Sequence, residues 1–373
     1  MSQSQARIAR TREVMTEYGI DVLYVRNISN IMWLTGFLGV FDSEPAHVVL
    51  ITQNKVVLHT DSRYSTALRR CACGTEIEVD DSKASFPEVL KCFIEQAGDG
   101  FANKDTLTIG IEDTILLREW EILQADSTHT LQITTNLIEQ LRAEKDATEI
   151  EALRQAQAIT DQAFAYIITY MNVGMSELDV QRELDRVMFA LGADGLAFDT
   201  IVATGAHAAS PHAQPTDALL CEGDAVVMDF GAKKNGYCSD MTRTVFMGEP
   251  NVTLQRAWRA LREANETCEA MISEGVQASD VHAKAEEILA NHGFEGCMGH
   301  SLGHGVGIDI HELPTLSSSN TNDLIQGNVV TVEPGIYIEG EFGMRLEDFG
   351  VVTDERFEVF TQSGHDMVII ENC

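Results

Sequence analysis

Two aspartates, Asp229 and Asp240, lie within the stretch MDFGAKKNGYCSDMTRT (228–244), at an odd offset from one another. On one straight strand an odd offset sends side chains to opposite faces. The Asn235-Gly236 pair between them is a strong hairpin signal. With a two-residue turn there, Lys234 pairs with Tyr237, Asp229 faces Thr242 and Asp240 faces Gly231. Residues 229 and 231 share a face, and directly paired residues share a face, so the two carboxylates become diagonal neighbours. Two such groups repel unless a positive charge sits between them. The other reading of the pair is a solvated surface.

The segment GHSLGHGVGIDIHELP (299–314) adds His300, His304 and His311. Gly299, Gly303, Gly305 and Gly307 argue against a helix there, and for a backbone that passes close to another group. Glu333 closes an apolar run, where a buried carboxylate needs a partner. Glu347 lies beside Arg345 in a second strand-like run. The two glutamates are placed evenly about Gly340, and an odd-length loop centred there sets them opposite one another; spacing alone leaves that register open. The loop FDTIVATGAHAASPHAQPTD (198–217) carries His207 and His212. Two aspartates, two glutamates and one histidine are ligands for hard or borderline divalent ions, and four carboxylates match the charge of two M²⁺.

The elements that position these groups come in two parts. DVLYV (21–25), HVVLIT (47–52), KVVLHT (55–60) and TLTIGIE (106–112) read as strands, with a tight hairpin at Gln53-Asn54 and a helix over 116–124. This is an α/β domain over residues 1–140. From 141 to 373 the order is helix, helix, strands, twice over. Asp146 with Glu149 has capping-box form, and Ser176 opens the second helix. Helices over a curved antiparallel sheet satisfy both halves, so the chain as a whole is α+β.

Composition narrows the function. The formal net charge is −32, which argues against binding a phosphate backbone or an anionic membrane surface. The opening residues lack an apolar signal region and no run reaches the length of a membrane span, so a cytoplasmic protein is expected. Eight scattered cysteines, at 71, 73, 92, 221, 238, 268, 297 and 373, fit reduced thiols. Three Asn-x-Ser/Thr matches are taken as chance.

Ligand types, order and spacing together closely resemble the pita-bread metallopeptidases, the family of methionine aminopeptidase, aminopeptidase P and prolidase. NISNIMWLTGF (27–37) resembles the N-terminal, creatinase-like domain of the Xaa-Pro members, and RAEKDATEIEALRQA their first catalytic-domain helix. The resemblance implies a fold, an N-terminal α/β domain before a pita-bread catalytic domain, and a set of roles. Asp229 would chelate one metal, Asp240 and Glu347 would bridge both, and His304 and Glu333 would complete the other. His212, His300 and His311 match substrate-contacting histidines. Arg345 matches an arginine that orients a ligand carboxylate, and Tyr237 a supporting tyrosine. His207 matches nothing and keeps a structural role. The implied cofactors are two divalent ions, Mn²⁺ first, with Co²⁺ or Zn²⁺ as alternatives. The implied reaction is hydrolysis of the Xaa-Pro bond of small peptides by a water that the ions deprotonate, with Glu333 as the proton acceptor. Some prolidases place an arginine four residues after the histidine matching His311; Thr315 stands there, which leans toward an aminopeptidase over a dipeptidase. A homodimer is expected, and a non-catalytic binding protein on the same fold is the reading from another class.

Overall fold

The computed structural model describes residues 2–42, 44–96, 101, 104–126 and 128–371, and the chain divides into two compact units, Met1–Arg142 and Ala143–Cys373. In the first unit the β-branched runs become β1 (Val22–Val25), β2 (Val48–Ile51), β3 (Val56–His59) and β5 (Thr108–Glu112). Two further strands, β4 (Ile77–Asp80) and β6 (Thr130–Thr134), form the two edges of a sheet ordered β4-β3-β2-β1-β5-β6. The Gln53-Asn54 turn is closed by the Thr52 amide donating to the Lys55 carbonyl at 2.8 Å, and β2 and β3 pair antiparallel across it. β1 and β5, β3 and β4, and β5 and β6 pair parallel. Six helices, α1 (Gln3–Glu17), α2 (Ile28–Thr35), α3 (Ser65–Cys71), α4 (Phe86–Gln96), α5 (Leu117–Asp126) and α6 (Leu137–Ala143), accompany this sheet among the described residues.

The second unit follows the doubled pattern. α7 (Ala147–Tyr170) starts at a complete capping box: the Asp146 carboxylate accepts from the Thr148 and Glu149 amides, and the Glu149 carboxylate accepts from the Asp146 amide at 2.9 Å. Ser176 and Asp179 repeat the device at the start of α8 (Glu177–Ala190). Such caps satisfy donors that the first turn of a helix leaves unpaired. The strands of this half are β7 (Gly195–Leu196), β8 (Ile201–Thr204), β9 (Ala225–Phe230), β10 (Ala232–Lys234), β11 (Tyr237–Cys238) and β12 (Met241–Met247). α9 (Val252–Met271), capped by Asn251, and α10 (Ala278–Asn291) open the second half. Then come β13 (Gly303–Gly305), β14 (Glu312–Leu316), β15 (Val329–Val332), β16 (Gly335–Ile338), β17 (Phe342–Arg345), β18 (Asp348–Val352), β19 (Phe357–Val359) and β20 (Val368–Ile370).

Two apolar cores form, and the second also takes in Ala225 and Phe246 from the first half's strands. Phe164 and Leu184 of α7 and α8 pack with Met228, Phe230 and Val245 of the first half's strands. Trp258, Leu261 and Ile288 of α9 and α10 pack with Val330 and Val332. The helices lie with antiparallel strands as expected, and one parallel pairing is added to them. β20 leaves the second half and pairs parallel with β12, giving the order β20-β12-β9-β8. The seven described cysteines are free thiols, and Cys373 lies outside the described residues. No helix among the described residues is long and apolar enough to cross a membrane.

Candidate metal centre

The aspartate hairpin has the register that its turn dictates. Asn235 and Gly236 both have positive φ, 51° and 80°, as a type I′ turn requires. Lys234 pairs with Tyr237, and beyond a short break Phe230 pairs with Met241 and Asp229 with Thr242. Gly231 sits at the break because no side chain fits: a Cβ there would stand 2.0 Å from the Ser239 carbonyl oxygen. Asp229 on β9 and Asp240 just before β12 therefore share one face.

His304 is the middle residue of β13, between two glycines that cannot be replaced without a clash. A Cβ on Gly303 would stand 2.0 Å from the Thr331 carbonyl oxygen, and one on Gly305 would stand 2.3 Å from that of Leu313. The two glutamates lie at the ends of paired strands. β15 and β18 pair Val332 with Asp348, and β16 and β17 pair Gly335 with Arg345. Both ladders keep the same register, centred on Gly340, and so set Glu333 across from Glu347.

These strand ends converge. One ligand atom each from Asp240, His304 and Glu347 lies within 4.8 Å of the others. His304 Nε2 is 3.5 Å from Asp240 Oδ2 and 3.4 Å from Glu333 Oε1. Asp229 is tied in by Arg345, whose Nη2 donates to Asp229 Oδ2 at 2.5 Å. Arg345 Nε donates to Thr242 Oγ1 at 2.8 Å, and that hydroxyl donates to Glu347 Oε2 at 2.6 Å. Asp229, Asp240 and Glu347 are 8%, 4% and 1% exposed, too little for water to disperse three negative charges. Burial pushes the Asp240 carboxyl well above the usual carboxylate range, and the charges of Glu347, Asp229 and Glu333 add to it. Glu347 is raised the same way, by burial and then by Glu333 and Asp229, and burial also raises Glu333.

The donor set fits divalent cations on this structure's own terms. Asp229 Oδ1 is buried without a hydrogen-bond partner, an acceptor left for something other than a protein donor. His304 Nδ1 lies 3.0 Å from the Gly305 carbonyl, so that nitrogen carries the proton and Nε2 presents its lone pair to the carboxylates. Burial lowers the pKa of His304 and so favours this neutral form.

Around this centre, the His311 ring meets that of His304 edge-on, with centroids 4.4 Å apart. His300 donates or accepts at Tyr337 Oη, 3.1 Å away, while its Nδ1 faces the Ser301 carbonyl at 2.7 Å. Burial lowers His300 and His311 below the usual histidine range. His212 is exposed on its loop, and the carbonyl of its neighbour Pro211 lies 3.4 Å from Arg345 Nη1. The tyrosine bonded to Arg345 is Tyr337, which the sequence reading did not single out. Tyr237 donates to Glu149 Oε1 at 2.9 Å, in the cap of α7, because its odd offset from Asp240 turns it to the other face of the hairpin. Tyr337 instead accepts from Arg345 Nη1 at 2.8 Å, and burial raises its phenol to about 12. The signal for Tyr337 was its even offset from Glu333 within one extended run. His207 has the structural role expected of it, with Nδ1 2.8 Å from the buried Glu177.

Residues 151–354 match the family model for metallopeptidase family M24. The chain belongs to family M24. As an M24 member it is a metal-dependent peptidase. Residues 7–144 match the creatinase/prolidase N-terminal domain. This M24 peptidase is 33% identical to the uncharacterized peptidase YqhT of Bacillus subtilis, over 98% of this chain and all of that one. Its structure is similar to that of a Xaa-Pro dipeptidase from Bacillus anthracis, with a TM-score of 0.90 at 33% identity, covering 98% of this chain and 99% of the other. It is also similar to an X-Pro aminopeptidase from Thermotoga maritima, with a TM-score of 0.84 at 32% identity, over 96% of this chain and all of that one.

Proposed function

We propose that this M24 peptidase removes the first residue from peptides with proline at the second position, with two divalent ions held by Asp229, Asp240, His304, Glu333 and Glu347. The observation that carries the reading is the convergence of those side chains, drawn from in or beside the strands β9, β12, β13, β15 and β18, on one buried and strongly acidic pocket. When bound, the ions neutralise the carboxylates, polarise the scissile carbonyl and make water a nucleophile near neutral pH. Mn²⁺ is the first expectation, with Co²⁺ or Zn²⁺ as alternatives.

The residues divide the remaining work. Glu333, at the pocket's edge beside His304, takes the proton of the attacking water and returns it to the leaving nitrogen. That return is needed because the nitrogen must leave as an amine and not as an anion; for proline the returned proton is the new N–H of the product. His212 or His311 donates to the carbonyl oxygen as it gains negative charge. His300 lines the same pocket, held by Tyr337. Arg345 holds the Asp229 carboxylate in place and is not free to meet substrate.

A dipeptidase is the second reading, favoured by the name of the similar Bacillus anthracis protein. A dipeptide presents a free carboxylate that calls for a cation. Arg345 is committed to Asp229, Thr242 and Tyr337, and the uncharged Thr315 on β14 lies within 3.3 Å of Ser317 Oγ. Both points favour the aminopeptidase. The reading carries with it a cytoplasmic homodimer, whose mass sedimentation velocity measures. The central test strips the protein of metal, restores Mn²⁺, Co²⁺ or Zn²⁺, and compares Xaa-Pro dipeptides with Xaa-Pro tripeptides. Turnover of tripeptides supports the proposal, and turnover of dipeptides alone supports the dipeptidase. Bound metal with no turnover of either makes the chain a binding protein.

A further inference from the structure

Glu177, the first residue of α8, is fully buried although it carries a carboxyl group, and it is far in sequence from the candidate metal centre. Its carboxylate gathers donors from both ends of one loop. Oε1 accepts from the Thr204 amide at 2.8 Å, at the end of β8, and Oε2 accepts from the Thr216 amide at 2.8 Å and the Thr216 hydroxyl at 2.7 Å. His207 Nδ1 completes the set, at 2.8 and 3.0 Å from the two oxygens. Main-chain bonds run alongside: the Glu177 amide donates to the Ala218 carbonyl and the Leu178 amide to that of Thr216.

The loop so closed spans 205–215. It contains one short 3₁₀ turn, Gly205–Ala209, and no strand, so little else in its own backbone sets its path. It carries His212. At its middle the Pro211 carbonyl reaches Arg345, and β17 approaches so closely that a Cβ on Gly343 would stand 1.7 Å from the Ala208 carbonyl oxygen. A loop pressed against the centre on one side is thus pinned at both ends by one carboxylate on the other. Four donors on two oxygens require both oxygens to accept, which a carboxylate does and a carboxamide cannot.

We infer that Glu177 is a positioning residue: by clamping Thr204, His207 and Thr216 it holds the 205–215 loop so that His212 faces the peptide substrate. This rests on the proposed role of His212 in substrate binding. Glu177 touches neither substrate nor metal, so its effect passes through His212.

The test is a double-mutant cycle on metal-loaded protein, with a Xaa-Pro tripeptide as substrate. Glu177→Gln alone lowers kcat/KM by roughly 10- to 100-fold, the loss expected from a misplaced contact. In the His212→Ala background the same change has little further effect. Metal content stays at the wild-type level in all three variants. Losses that multiply, or a Glu177→Gln protein as active as wild type, overturn the inference. Should Glu177→Gln fail to fold, Thr216→Val removes one bond to the carboxylate and gives a smaller loss with the same dependence on His212. If His212→Ala leaves kcat/KM unchanged, the substrate role of His212 fails. The clamp is then judged by the NMR signals of the His212 ring in Zn²⁺-loaded protein. A shift in Glu177→Gln supports positioning, and unchanged signals refute it.

Discussion

A buried carboxylate without a counter-charge keeps a proton to pH values at which an exposed one has lost it. Asp240 and Glu347 approach that state: burial and the surrounding carboxylates raise both, and the nearby Arg345 offsets only part of the rise. The sign of the linkage follows. Groups raised in the folded chain favour the metal-free fold at low pH, and that stability is lost as pH rises through their folded values. Divalent ions replace the protons and restore it. The thermal midpoint gained on adding Mn²⁺ to stripped protein should therefore be larger at about pH 7.5 than at about pH 5, as scanning calorimetry measures. Equal gains at both would mean that these carboxylates do not hold the ion. Asp240→Ala should abolish turnover and reduce bound metal, read by elemental analysis beside the peptide assay. Substantial remaining activity would contradict the proposed role of Asp240 as a metal ligand.

At the scale of elements, the aspartate pair was legible because a two-residue turn fixes a register: once Asn235-Gly236 closes, every partner on both strands is set. Replacing Gly236 with Val forces a β-branched side chain into a positive-φ position, a penalty of about 1–2 kcal/mol. It should also weaken metal binding out of proportion to the loss of stability, seen by comparing urea denaturation with metal titration. The glutamate pair was half legible: its symmetry about Gly340 was visible, but only tertiary pairing chooses the register. β4 and β6 escaped notice because they are edge strands with partly exposed, mixed sequences, burying too little to show a clean pattern. Arg243 shows what a lone sequence withholds. Its guanidinium is buried against Asp348, 105 residues on, at 2.6 Å, and donates to the Glu347 carbonyl, so it fixes the backbone that carries Glu347. Nothing near MTRT announces that partner. Arg243→Met leaves the buried Asp348 with His365 as its remaining basic partner, at 2.6 Å, and should cost up to about 3–5 kcal/mol in denaturant unfolding. A loss under about 1 kcal/mol would mean that His365 alone suffices as the partner of Asp348.

Across the whole molecule the charge is unevenly shared. Of 58 acidic residues, 38 lie in residues 143–373, against an even split of Lys and Arg. The part of the chain with the candidate metal centre is thus the strongly negative one, a field that would draw in cations, including the protonated amine of the proposed peptide substrate. With metal saturating, kcat/KM for a free-amine peptide should fall as salt is raised, while kcat stays nearly constant, in steady-state assays. A flat response would leave the acidity as a solubility feature alone. The division into helix–helix–strands halves was also legible at this scale, from caps and periodicity. The strand that links the halves was not, because three residues, Val368–Ile370, are too short to declare a partner.

That link, β20 alongside β12, makes the tail a latch. A chain cut short before Val368 would bare the outer edge of β12, whose unpaired amides and carbonyls would then be open to any extended peptide, including the same edge of a second molecule. Light scattering on such a truncated protein should report clumping where the 373-residue chain stays dispersed.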